Sequence, residues 1–153
     1  MVDRLTSCAA RALDLARVEA SQLGHPYVGT EHLLIALARE EGAAAARVLA
    51  SLDLTAERLR DWVAFIAGRG EDRRNVAADP PHSPRLQRVL ASAQKEAARR
   101  GQQQVDTLQL LLALVRERQG LAVVLLEAPG VGLERIGGAM MRALREGATD
   151  AER

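Results

Sequence analysis

Sliding the chain 77 positions along itself lays Arg11 on Arg88, Leu13 on Leu90, Glu19 on Glu96, Gly24 on Gly101, Val28 on Val105 and Thr30 on Thr107. The register continues without a gap through Leu33 on Leu110, Leu37 on Leu114, Arg39 on Arg116, Glu40 on Glu117 and Glu57 on Glu134. Of the 76 aligned positions 19 agree, 18 of them between Arg11 and Arg58 and turns included, which is more than shared helical patterning produces by chance. What one half forms the other must form too, and 153 residues hold both copies in a single compact unit.

The repeated unit is helical by its periodicity. From Thr6 to Leu23 the apolar positions Ala9, Leu13, Ala16, Ala20 and Leu23 recur at spacings of three and four, with Thr6 placed to cap and Gly24 to terminate. A second helix is predicted from Thr30, as its cap, through Leu33, Leu34 and Leu37 to a stop near Gly42. "AAAARVLASL" gives a short third, and Thr55 caps a fourth whose stripe is Leu59, Trp62, Val63 and Ile66, ending at Gly68. In the second copy Ser83 and Pro84 start the first helix, Leu86, Val89, Leu90 and Ala93 form its stripe, and Gly101 stops it. The last helix, around Leu133, Ile136, Met140 and Leu144, carries Gly137 and Gly138 in its interior. The expectation is an all-α fold, a pseudo-twofold tandem of two four-helix units. Repeat 1 covers about 4–67, a polar linker closing on a double proline covers 68–82, and repeat 2 covers about 83–146.

Composition removes several function classes. Twenty-one basic residues against 20 acidic ones leave a formal charge of +1, no field to attract nucleic acid or an anionic membrane. Arginines do gather in "RGEDRRN" and "KEAARRGQQQ", so a helical nucleic-acid-binding regulator is the alternative reading, but acids are interleaved in both stretches. No apolar run approaches the ~20 residues that span a bilayer. Cys8 is the only cysteine and is expected to pack as a small hydrophobe; with no secretory leader at the start, a cytoplasmic protein is expected. No G-x-x-x-x-G-K-[ST] phosphate loop occurs, and no constellation for acid/base or nucleophilic catalysis is evident, so no enzyme, cofactor or metal is expected. His25 and His32 flank a turn, yet H-E-x-x-H is not formed because Glu31 precedes His32. Both histidines read best as turn and helix-start packing.

"LTSCAARALDLARVEASQLGHPYVGTEHLLIALARE" followed by "GAAAARVLASL" resembles the first repeat of the Clp N-terminal domain, found at the front of AAA+ unfoldases of the ClpC and ClpA type. Residues 83 to 144 are similar to its second repeat. The resemblance implies a pseudo-twofold eight-helix domain that docks protein substrates and adaptors for an ATPase ring; a monomer in isolation is expected. Here the ATPase motifs are missing, so the chain is expected to be either a free-standing receptor module or regulator of an AAA+ Clp unfoldase, or the front of a longer protein.

Glu31 lies in the first turn of a predicted helix, where the dipole favours an anion, and helix starts also offer N–H groups to a phosphate. On the residues alone, Thr6 as a plain cap and Glu31 as a dipole-compensating surface charge remain open. The resemblance implies more: in ClpC-type relatives this glutamate and the threonine at the start of the first helix bind phosphoarginine, the carboxylate taking the guanidinium and the threonine helping with the phosphate. The matching positions are Thr6 and Glu31. In the second repeat Ser83 keeps a hydroxyl but Leu108 replaces the glutamate, so a degenerate site is expected there; Leu108 joins either an apolar surface or the core stripe. ClpC-type relatives also place phenylalanines ahead of each first helix, in an adaptor groove. This chain has Val2, Leu5 and His82 at that surface.

Overall fold

The computed structural model describes residues 4–68, 79–117, 119–127 and 132–150. Its elements are α1 (Ser7–Gln22), α2 (Thr30–Arg39), α3 (Ala44–Ser51), α4 (Ala56–Ala67), α5 (Pro84–Arg99), α6 (Thr107–Arg116), α7 (Leu121–Glu127) and α8 (Leu133–Arg145). Ser7, Thr30, Ala44 and Ala56 open the first four helices, and Pro84, Thr107, Leu121 and Leu133 open the second four, each 77 positions later. The fold is all-helical among the described residues, as the periodicity predicts.

The boundaries have local causes. The hydroxyls of Thr6, Thr55 and Ser83 accept hydrogen bonds from the backbone N–H of Ala9, Arg58 and Leu86, capping α1, α4 and α5. Past α1 and α5, Gly24 and Gly101 take the left-handed conformation at φ 73° and 71°. The chain then turns back, so His25 N–H reaches Ala20 O and Gln102 N–H reaches Ala97 O, each at 2.9 Å. Thr30 is not the cap of α2: Gly29 holds that position, Thr30 is the first helical residue, and its hydroxyl accepts from Ala122 N–H of α7. Thr107, its counterpart, accepts from Ala45 N–H of α3. Both threonines are buried and join one half to the other.

The halves are interlocked reciprocally. Before α1, Leu5 pairs with Val105 of the α5–α6 turn; before α5, His82 pairs with Val28 of the α1–α2 turn. Thr6 N–H bonds Val105 O and Val105 N–H bonds Arg4 O; Ser83 N–H bonds Val28 O and Val28 N–H bonds Pro81 O. Each lead-in strand therefore satisfies its backbone on the opposite repeat. Helices α2 and α6 run through the centre, α2 packing on α1, α3, α4, α5, α6 and α7. Leu33, Leu34, Ile35 and Leu37 of α2 meet Leu110, Leu111 and Leu114 of α6 in one continuous core. Cys8, Ala9, Ala12 and Ala16 are fully buried along α1, and such small side chains let helices approach closely.

The α4 stripe is narrower than its spacing predicts. Leu59 and Val63 are buried, Trp62 is half-buried, and Ile66 is exposed, because α4 meets the core along one edge only. In α8, a Cβ added at Gly137 or Gly138 would meet nothing within 4 Å. Gly137→Ala and Gly138→Ala are each expected to stabilise by about 0.5–1 kcal/mol through reduced chain entropy, read as a higher urea midpoint with unchanged slope.

Candidate functional site

The α1–α2 turn, the start of α2 and the start of α5 enclose a cavity of about 540 Å³, lined among others by His25, Thr30, Glu31, Ser83, Arg85 and Arg88. It lies between the repeats: Glu31 comes from one and Ser83, Arg85 and Arg88 from the other. Thr6 is not among its lining residues. The reciprocal interlock places Thr6 against Thr107 of the second repeat instead, where its hydroxyl donates to Asp150 Oδ2 at 2.6 Å. The structure thus puts Ser83 in the Glu31 cavity and gives Thr6 to the opposite helix start.

Burial raises the Glu31 carboxyl above the usual carboxylate range, against its own backbone N–H and the nearby His25 and Arg85, which act to lower it. A side chain at Gly29 would collide with this carboxylate. The repeat explains the pairing of residue types, since Gly29 goes with Glu31 in one copy and Asp106 with Leu108 in the other. Across the cavity, Arg85 Nε is shielded from water and has no hydrogen-bond partner among the described residues. An orphaned guanidinium N–H next to a cavity is costly to leave unmade and is satisfied by an arriving acceptor. Arg85 replaces Cys8 of the first copy, so no repeat logic marks it.

Two histidines form the floor. His32 Nδ1 accepts from Gly29 N–H at 2.9 Å, so the proton of neutral His32 resides on Nε2, which donates to His25 Nδ1 at 2.8 Å. His25 then carries its proton on Nε2 and donates to Gly68 O at 2.7 Å, tying the end of α4 to the start of α2. The second copy repeats the device with amides: Asp106 N–H donates to Gln109 Oε1, and Gln109 Nε2 donates to Gln102. Burial, reinforced by the nearby His25 and opposed by Glu19, lowers His32 to about 4. His25, Glu31 and His32 hold ligand-type atoms within 4.8 Å of one another, a three-donor group that linear spacing does not reveal. In this arrangement both facing ring nitrogens are spent on each other and the remaining His32 nitrogen on backbone, so the chemistry on offer is hydrogen bonding rather than coordination.

The other expected positions fall as follows. Leu108 is buried in the core, which closes the surface alternative. Leu5 and His82 are fixed by their bridges, Leu5 partly packed on the core and His82 half-buried. Val2 lies outside the described residues. No helix among them is long and apolar enough to cross a membrane.

A double four-helix repeat whose halves complete each other and form a cavity at a helix start defines a class of paired-repeat helical domains. The chain belongs to the Clp repeat (R) N-terminal domain family, which matches residues 4–128 and 82–153. It is 36% identical over 135 residues, 88% of this chain, to the negative regulator of genetic competence ClpC/MecB of Bacillus subtilis. It is 38% identical over 148 residues, 97% of this chain, to the chloroplastic chaperone protein ClpC of Pisum sativum. The chain spans only 16% of the length of each. Among solved structures it is similar to the N-terminal domain of the chaperone ClpD of Arabidopsis thaliana, with TM-score 0.78, 24% identity, and coverage of 94% of this chain and 99% of that one. The ClpV N-domain in complex with a VipB peptide aligns with TM-score 0.66 and 20% identity, covering 94% of this chain and 87% of that one. These likenesses establish the fold.

Proposed function

We propose that this chain is a non-catalytic protein-docking module of the Clp system. It receives substrates or adaptors for an AAA+ unfoldase, or regulates such an unfoldase from a separate chain, and its Glu31 cavity takes a phosphoarginine-marked segment. The observation that carries the reading is the pairing, across one cavity, of a desolvated carboxylate with an orphaned guanidinium. A ligand bearing a cationic guanidinium and an anionic phosphoryl group answers both: Glu31 receives the former, while Arg85, Arg88 and the Ser83 hydroxyl face the latter. Burial that disfavours the charged carboxylate favours a ligand cation, and forked guanidiniums suit phosphate oxygens.

The test is calorimetric titration of a phosphoarginine peptide. Binding at one site is expected, weakened about 10- to 100-fold by Glu31→Ala, the worth of one charge-assisted hydrogen bond, and comparably by Arg85→Ala. Ser83→Ala is expected to weaken it less, and Thr6→Ala to leave it unchanged. Binding indifferent to Glu31, or sensitive to Thr6 and not to Ser83 and Arg85, would refute this assignment.

A further inference from the structure

The chain has three aromatic residues, Tyr27, Trp62 and Phe65, and buries none of them: Tyr27 is 55% and Phe65 82% exposed, and Trp62 is half-buried. On α4, Trp62 and Phe65 stand edge to face, their ring centroids 6.3 Å apart and their planes at 87°. Together with Asp61 they line an open hollow of about 410 Å³, which shares no lining residue with the Glu31 cavity. The repeat does not ask for these side chains. Helix α8 docks through Ile136 and Met140, the counterparts of the buried Leu59 and Val63, yet it carries Gly138, Ala139 and Arg142 where α4 carries Asp61, Trp62 and Phe65. The charge around the hollow is acidic. Asp61 and, one turn earlier, Glu57 are exposed and have no ion pair among the described residues, whereas the basic residues of α4 are engaged elsewhere. Arg58 Nη1 donates to Asp53 Oδ2 at 2.5 Å, and Arg60, close enough to feel both acids, gives Nε and Nη2 to Glu19 at 2.8 Å.

We propose that this hollow binds an arginine side chain of a partner protein, carried on a basic segment that lies along the outer face of α4. Two ring planes at right angles form the walls of a corner, and Asp61 stands at its rim. A guanidinium suits that corner in three ways: it is drawn to an indole or phenyl face, it is weakly hydrated, and its fork matches a carboxylate. The methylene stem behind it covers the ring edges. An aliphatic side chain in the same place would desolvate Asp61 without pairing it, and an acidic one would be repelled. The corner therefore selects a cation with an apolar body. Because its residues are separate from those of the Glu31 cavity, this docking neither needs nor tests the phosphoarginine reading.

Trp62 is the only tryptophan, so its fluorescence reports on the hollow. The probe is a capped Gly/Ser peptide carrying three arginines, titrated at low salt beside a twin in which citrulline, of similar shape and no charge, replaces each arginine. The arginine peptide is expected to change the Trp62 emission saturably with half-saturation at about millimolar, and the citrulline peptide to bind about fivefold more weakly or worse. Asp61→Asn is expected to weaken the arginine peptide about 3- to 5-fold. Phe65→Arg, which copies Arg142, is expected to abolish binding, and Glu31→Ala to leave it unchanged. Asp61 and Phe65 are both exposed, so these variants keep the core, and unchanged urea midpoints check it. Equal responses to the two peptides, or binding indifferent to Phe65→Arg or Asp61→Asn, would overturn the proposal. So would emission that changes with protein concentration alone, the sign of a second copy on the patch. Emission of the peptide-free protein that shifts when Arg69, Arg73 and Arg74 are replaced by serine would overturn it too, since the chain's own cations would then fill the hollow.

Discussion

Glu19→Ala is expected to destabilise the protein by about 3 kcal/mol, the lower end of the range for breaking a buried ion pair. Glu19 is fully buried on α1, yet its carboxylate accepts from Arg60 Nε and Nη2, each at 2.8 Å, and from Arg39 Nη1 at 3.1 Å. Burial pushes its carboxyl up, but the hydrogen bonds and charge of Arg60, joined by Arg39, outweigh burial and leave it below the usual range. Removing the carboxylate leaves two guanidiniums without their shared partner where α1, α2 and α4 meet. The estimate is held to the lower end because both are a third or so exposed and can turn to water. The counterpart, Glu96, is the built-in control. It contacts Arg99, Arg100 and Arg116, but Gly137 stands where Arg60 would be, so α8 sends no arginine to it. Glu96→Ala is expected to cost far less. Urea denaturation of the two variants decides the matter, and equal losses would show that the Glu19 cluster adds nothing beyond a surface network.

The second large effect is acid sensitivity. His32 titrates near 6.5 when unfolded and about 4 when folded, so below pH 6.5 the unfolded chain binds a proton that the fold refuses. Stability from this residue is intact above pH 6.5 and drains as pH falls toward 4, by about 3 kcal/mol in total. His82, lowered by burial, acts in the same sense; Glu31 and Asp106, raised by burial, gain protons on folding and oppose it. The informative quantity is therefore the difference between the wild type and His25→Gln/His32→Gln, which copies Gln102 and Gln109 into the first repeat. The double variant keeps a capping partner for Gly29 and is expected to lose most of the slope between pH 6.5 and 4. Parallel stability curves would mean that the histidine pair is not the sensor.

These two predictions also show where sequence reasoning succeeds and stops. The repeat, the caps at Thr6, Thr55 and Ser83 and the stops at Gly24 and Gly101 are local events with local signals, and they fix helix order and fold class. Thr30 misleads, because a threonine at a helix start looks like a cap whether its hydroxyl turns to its own helix or across to Ala122. The burial of Glu19 depends on Arg60 from another helix, and only the departure from the repeat at Gly137 hints that the two glutamates differ. The cavity is the harder case. A linear alignment keeps Thr6 with Glu31 because both belong to the first copy, whereas the exchanged lead-in strands give Glu31 the hydroxyl of Ser83. Glu31 itself came through the family resemblance; Arg85 and Asp150 have no repeat counterpart of their own type and left no trace before the halves were assembled.

Four ties between the halves form two reciprocal pairs: Leu5 with Val105 and His82 with Val28, Thr30 with Ala122 and Thr107 with Ala45. A lone four-helix copy would carry both members of each tie and be able to use neither at home. Two such copies meeting about a twofold axis would satisfy all of them, the arrangement of an isologous homodimer. The tandem chain has the internal architecture of such a dimer with its two protomers joined. Joined copies need not be identical, and Glu31 stands in one where Leu108 stands in the other.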